Sequence, residues 1–199
     1  MKKNQMRIHI AGMGGQGIAS IARIITTACQ ITGQNVISME NHGLAQRGGI
    51  IVADVAINFD ETESAVPVTG EVDVLIGLEA LETLRALPIL KNSGYCIMNT
   101  VSYQPMVVRV SKSEIKYPTI DMIKNEIHRK TKNIFSIDAS QKAKDLGLST
   151  VMNVVLLGSL AKIPGIPFSK EELLDAIKAT IPEKYHEINI KAFEAGYSS

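Results

Sequence analysis

Residues 7–32 read RIHIAGMGGQGIASIARIITTACQIT. Within this stretch the apolar positions change period. Ile8, Ile10 and Ala11 belong to a short apolar run suited to a buried strand. Ile18, Ile21, Ala22, Ile25 and Cys29 recur at three- and four-residue steps, which places them on one stripe of a helix. Between the two lies Gly12-Met13-Gly14-Gly15-Gln16-Gly17. Its glycines make room for a tight strand-to-helix crossover and leave backbone N–H groups bare at a helix N-terminus. Gly33 follows as the residue expected to stop the helix. A strand that feeds a helix in this way lies centrally in a parallel sheet, and ligands or partners meet such sheets at the carboxyl ends of the strands.

Further strands are expected at 35–39, 50–58, 72–78, 95–99, 106–110 and 133–138, each apolar and β-branched or bounded by turn residues. Helices are expected at 79–87, 118–131, 139–146 and, apolar almost all round, 150–163. Asn92-Ser93-Gly94 reads as a turn. Ser169-x-x-Glu172 is a capping box, and Thr180-x-x-Glu183 with Pro182 is expected to open the last helix. Strands alternate with helices, which predicts an α/β fold of three layers, α/β/α, with a Rossmann-like start. The strand at 50–58 follows that at 35–39 without a helix, so the mostly parallel sheet is expected to be mixed. Residues 1–199 are read as one domain, with 164–199 a helical C-terminal extension that either packs on the sheet or reaches out as an arm.

Composition excludes several classes. A net charge of +1 and 5% aromatic residues argue against a nucleic-acid-binding face. No apolar run approaches the ~18 residues that span a bilayer, and the N-terminus does not read as a signal peptide, so a cytoplasmic protein is expected. Cys29 and Cys96 are too few to ligate an iron–sulfur cluster and form no CxxC pair. They read as buried free thiols in a reducing compartment.

Two glycine motifs carry the functional signal. Gly12, Gly14 and Gly17 fit the dinucleotide fingerprint, and Glu40 sits near the end of the second strand as a ribose-binding acid would. The spacing to Glu40 is longer than the ~20 residues of that fingerprint, and Gln16 is bulky where a pyrophosphate would press. Binding of NAD(P) or FAD, binding of another phosphate-bearing ligand, and a purely structural crossover all remain open on spacing alone. The second motif is His42-Gly43-Leu44-Ala45-Gln46-Arg47-Gly48-Gly49. Arg47 offers a rigid donor fork for a carboxylate or phosphate, in a loop whose glycines admit an anion or a neighbouring chain. The plainer reading is a solvated loop in which Arg47 pairs with Glu40. His42 is a weak catalytic candidate, since no nucleophile pattern accompanies it.

Taken together, GMGGQG at 12–17 and HGLAQRGG at 42–49 resemble the small, beta- or gamma-type subunits of the 2-oxoacid:ferredoxin oxidoreductases. The segments DVLIGLEALETLRALP at 73–88 and NVVLLGSL at 153–160, and Asn189, Ala192, Phe193 and Gly196, agree with that family. The form of the second loop favours its arylpyruvate (indolepyruvate) branch, with the pyruvate and 2-oxoglutarate branches as the alternative. The resemblance implies a component of a multi-subunit enzyme that is inactive alone. Such enzymes convert an aryl 2-oxoacid, coenzyme A and oxidised ferredoxin to an aryl-acetyl-CoA, carbon dioxide and reduced ferredoxin. It further implies that thiamine diphosphate, Mg and [4Fe-4S] clusters belong to a large alpha subunit. Gly12, Gly14, Gly15, Gln16 and Gly17, with Gln46, Arg47, Gly48 and Gly49, would then face that partner or the phosphates of coenzyme A.

Overall fold

Ile8 and Ile10 alternate with Arg7 and His9 because β1 (Met6–Met13) has two different faces to satisfy. The chain continues through α1 (Ile18–Ile31), β2 (Val36–His42), β3 (Ile50–Ile57), β4 (Val72–Gly77), α2 (Ala80–Ala86), β5 (Leu90–Asn99), α3 (Ile120–Lys130), β6 (Asn133–Ile137), α4 (Ala139–Asp145), α5 (Met152–Leu160), α6 (Lys170–Thr180) and α7 (His186–Tyr197). This computed structural model describes residues 4–43, 49–60, 62–103 and 117–199. The strand expected at 106–110 lies outside them.

The strands form one sheet in the order β2-β3-β1-β4-β5-β6. β1, β4, β5 and β6 run parallel, and β3 is antiparallel to both β1 and β2. β3 alone is therefore reversed. The reason is local: the connection from His42 to Ile50 is too short for a crossover helix, so the chain must return beside itself. The expected mixed α/β sheet is what forms.

The two faces bury separate cores. Ile8, Ile10, Val55, Val74 and Ile76 pack beneath α1, α5, α6 and α7. Leu75, Cys96 and Met98 pack against Ile123 and Ile127 of α3 and Ala80 of α2. Every residue of α5 is buried, which explains its lack of a polar stripe. The C-terminal helices pack on the sheet side and do not reach out, because α6 lies against α1 and α7 against α5.

Local signals met two outcomes. Gly33 ends α1 with φ +65, and Ser169 and Glu172 form both halves of a capping box. Two expectations are corrected. Asn92–Gly94 is no turn between elements but a bulge inside β5, since Val72 pairs with Leu90 while Val74 pairs with Tyr95. Thr180 does not open the last helix. Its hydroxyl bonds back to Ala176 O at 2.6 Å, ending α6, and Pro182 precedes a short 3-10 turn before α7.

Candidate functional site

The two glycine loops meet because the sheet register brings them together. Gly12 pairs with Ile51 and Met13 with Ile50 in the β1–β3 ladder. The chain then leaves β1 as Gly14 and enters β3 from Gly49, and Gly14 N donates to Gly49 O at 2.9 Å. Motifs some thirty residues apart in sequence thus form one rim at the carboxyl end of β1.

Much of the first loop is bonded to itself. Met13 N donates to Gln16 Oε1 at 2.7 Å, and Gln16 N to Met13 O at 3.2 Å. Gln16 therefore does not press into a ligand space. Its side chain folds back under the loop, where its Nε2 is buried without a partner. Gly15 and Gly17 adopt φ +91 and +85. Gly17 is the N-cap of α1 and brings no side-chain acceptor. Its carbonyl accepts from Asn153 Nδ2 at 3.2 Å, which ties the loop to α5. The N–H groups left for a ligand or partner are those of Gly15, Gly17 and the first turn of α1, fewer than a full phosphate cradle offers.

Glu40 and His42 stand on the exposed part of β2. Glu40 pairs with Ala53 of β3, which in turn faces Ile10 of β1. β3 thus separates Glu40 from the glycine loop by two strand spacings, about 9.6 Å. In the dinucleotide fold the acid-bearing strand is β1's direct neighbour. The reversed strand removes that geometry. The His42 ring has no hydrogen-bond partner among the described residues, and no nucleophile is bonded to it. Gly49 is described and half-buried; Gln46, Arg47 and Gly48 lie outside the described residues.

Farther along the carboxyl ends of the strands stand two residues that the sequence motifs do not reveal. Glu79 is buried, 1% exposed. Its carboxylate accepts from Glu82 N at 2.9 Å, capping α2, and from Tyr103 N at 3.0 Å and Tyr117 OH at 3.1 Å. Burial pushes the Tyr117 hydroxyl above its usual range; a hydrogen bond with Ser102 opposes this and Glu79 reinforces it. Asn99, fully buried, donates to Leu78 O and Ser140 Oγ at 3.0 Å each and accepts from Ala139 N at 3.1 Å. It joins the ends of β4 and β5 to the start of α4. A glutamate before Ala-Leu-Glu was the available sign of a cap; nothing local marks Asn99.

The cysteines do not suit a cluster. Cys29 lies in the core under α1 and Cys96 in the core on the opposite face of the sheet. Burial pushes each thiol up to about 12, which disfavours the thiolate that ligation needs. No described helix is long and apolar enough to cross a membrane.

A three-layer α/β fold with one reversed strand, and two glycine loops joined at its rim, defines the class to compare. The family model described as pyruvate ferredoxin/flavodoxin oxidoreductase matches residues 7–199, and the chain belongs to that family. Within it, the chain is 35% identical over 193 residues to indolepyruvate oxidoreductase subunit IorB of Thermococcus kodakarensis, covering 96% of this chain and 94% of that one. It is 31% identical to the subunit of the same name from Methanothermobacter thermautotrophicus, covering 96% of each. Among solved structures it is similar to the keto/oxoacid ferredoxin oxidoreductase gamma subunit from Geobacter sulfurreducens, with a TM-score of 0.70, 25% identity and coverage of 97% of this chain and 96% of that one.

Proposed function

We propose that this chain is the small subunit of a cytoplasmic, thiamine diphosphate-dependent indolepyruvate (aryl 2-oxoacid):ferredoxin oxidoreductase. In this reading the complex oxidatively decarboxylates an arylpyruvate with coenzyme A, passing electrons to ferredoxin and releasing carbon dioxide and an aryl-acetyl-CoA. The observation that carries the reading is the likeness to IorB subunits along nearly the whole chain, 35% identity over 96% of it. The placement of thiamine diphosphate, Mg and [4Fe-4S] clusters on a large alpha subunit is part of the proposal. It is supported by two thiols buried on opposite faces of the sheet. Residues 1–199 then act as one gamma-type domain, with 164–199 its helical extension.

The task of this chain in that complex is contact. The rim made by Gly12–Gly17 and Gly49 offers the N–H groups of Gly15, Gly17 and the first turn of α1. Arg47, with Gln46 and Gly48 beside it, adds a fixed positive charge in the same loop as Gly49. Together they suit the large subunit or the phosphates of coenzyme A. Among the described residues His42 has no partner that would make it a base, so no catalytic step is assigned to it.

Co-expression with a candidate large subunit tests the reading. Co-purification as a complex that turns over arylpyruvates faster than pyruvate or 2-oxoglutarate supports it, and the reverse preference moves the chain to a neighbouring branch. Arg47→Ala in the reconstituted complex is expected to weaken assembly or raise the apparent KM for coenzyme A; unchanged assembly, affinity and turnover discard the role given to Arg47. Binding of NAD(P)H or FAD to the purified chain tighter than ~10 μM would favour a stand-alone oxidoreductase.

A further inference from the structure

We propose that β2 is a self-association edge, on which a second copy of this chain pairs antiparallel and joins the two sheets into one. The edge is separate from the glycine rim, and the inference stands whether or not the subunit reading does. Among the described residues β2 ends the sheet, with β3 as its one strand neighbour. Two bonds just beyond its ends fix which way its backbone groups point. Gly43 N donates to Ile50 O at 2.9 Å, and Asn58 N donates to Asn35 O at 2.8 Å. The register between them is unbroken. Ile37, Met39 and Asn41 therefore turn their N–H and C=O groups towards β3, and Val36, Ser38, Glu40 and His42 turn theirs away. Among the described residues nothing bonds to those outward groups.

An open edge is a template for another strand, and proteins blunt it with Pro, Lys, a bulge or a cover. The strand VISMENH contains neither Pro nor Lys, and its ladder with β3 has no bulge. Ser38 to His42 are all exposed. The opposite edge of the sheet differs. β6 is five residues long, and of these Ser136 alone is exposed.

The residues of β2 select the partner. A two-fold axis through Met39 lays Val36 opposite His42 of the second copy, Ser38 opposite Glu40, and Met39 opposite its counterpart. All four outward residues then fall in hydrogen-bonded pairs, about eight bonds in total. Glu40 is the one carboxylate of the strand, and it meets the Ser38 hydroxyl of the second copy instead of a like charge. Sliding the copies by two residues one way sets Glu40 against Glu40; sliding the other way leaves His42 without an opposite residue. The same axis brings the two Met39 side chains together on one face, covering a residue that is 49% exposed in the single chain.

Sedimentation equilibrium of the full chain tests this. A monomer–dimer equilibrium with a dissociation constant at or below about 10 μM is expected. Ser38→Pro removes an outward N–H and sets a ring on the edge while leaving the bonds to β3 in place, and is expected to weaken the dimer about tenfold or more. Met39→Cys puts two thiols across the axis with Cα atoms about 4.5 Å apart, within disulfide reach, so mild oxidation is expected to give a covalent dimer. Asn41→Cys puts them about 13 Å apart and is expected to give none. Cys29 and Cys96 are buried and do not compete. The cysteine pair alters exposed positions, so it reads the register even if the proline variant folds poorly. A monomer at all concentrations up to about 100 μM, a dimer of unchanged strength in a folded Ser38→Pro variant, or crosslinking of Asn41→Cys as ready as that of Met39→Cys overturns the proposal. A monomer whose Ser38→Pro variant no longer joins the large subunit also overturns it, by assigning the edge to that subunit.

Discussion

Gly17 carries several duties at one position. Its φ of +85 turns the chain from β1 into α1, and its carbonyl accepts from Asn153. A Cβ there would run into the Asn153 amide nitrogen. Gly17→Ala is expected to lose about 2–4 kcal/mol of unfolding free energy, from left-handed backbone strain and a broken hydrogen bond. Urea denaturation measures it; a loss below about 0.5 kcal/mol would mean the loop relaxes freely. Glu82 gives a pH signature. Burial pushes its carboxyl above the ordinary 4.5, Arg85 opposes this, and Glu79 adds to it. The folded state thus holds this proton to higher pH than the unfolded chain does. Its contribution to stability therefore falls as pH rises from 4.5 through the raised value. Glu82→Gln is expected to gain on the native chain over that interval, and a flat difference between their stability–pH curves would reject the cause given.

Between elements, α5 packs closely on α7. A Cβ at Gly158 would meet Phe193 O, and one at Gly196 would meet Val155 O. Ser159 Oγ donates to Gly196 O across the same contact at 3.1 Å. The helices touch backbone to backbone, and no side-chain movement can make room. Gly196→Ala is expected to cost about 3 kcal/mol or more, despite the higher helix propensity of alanine, because α7 must move off α5. Thermal unfolding followed by circular dichroism measures it; an unchanged or raised midpoint would contradict the packing. The sequence offers Gly158 and Gly196 only as small residues within helical patterns. Their partnership crosses most of forty residues of chain and has no local mark.

In the whole molecule, one sheet couples the two cores. Ile10 is buried on the α1 side and Leu75 on the α2–α3 side, both at 0% exposure. Ile10→Ala and Leu75→Ala are each expected to cost about 2–5 kcal/mol and to shift the same single urea transition. Two separable transitions, each sensitive to one variant, would show that the faces unfold independently. The exposed edge strand β2 and the outward Met39 and Ile50, at 49% and 44% exposure, leave one end of this sheet less covered than the other.

Among the described residues, the sequence by itself determined most of the elements and their types, and many of their ends. The change of period across 7–32, the glycine crossover and the Ser169 capping box all act through residues within one turn or one loop of each other. It also brought the family into view, through two motifs that are each short and contiguous. Only the tertiary structure decided that β3 lies between β2 and β1, which carries Glu40 away from the glycine loop, and that Gly14 bonds to Gly49. It alone decided that Asn92–Gly94 bulges inside a strand, that Glu79 and Asn99 are buried anchors, and that β2 stands at the open edge of the sheet. These depend on strand order and on contacts between residues far apart in the chain, which propensity, capping and periodicity do not encode because each acts only over neighbouring residues.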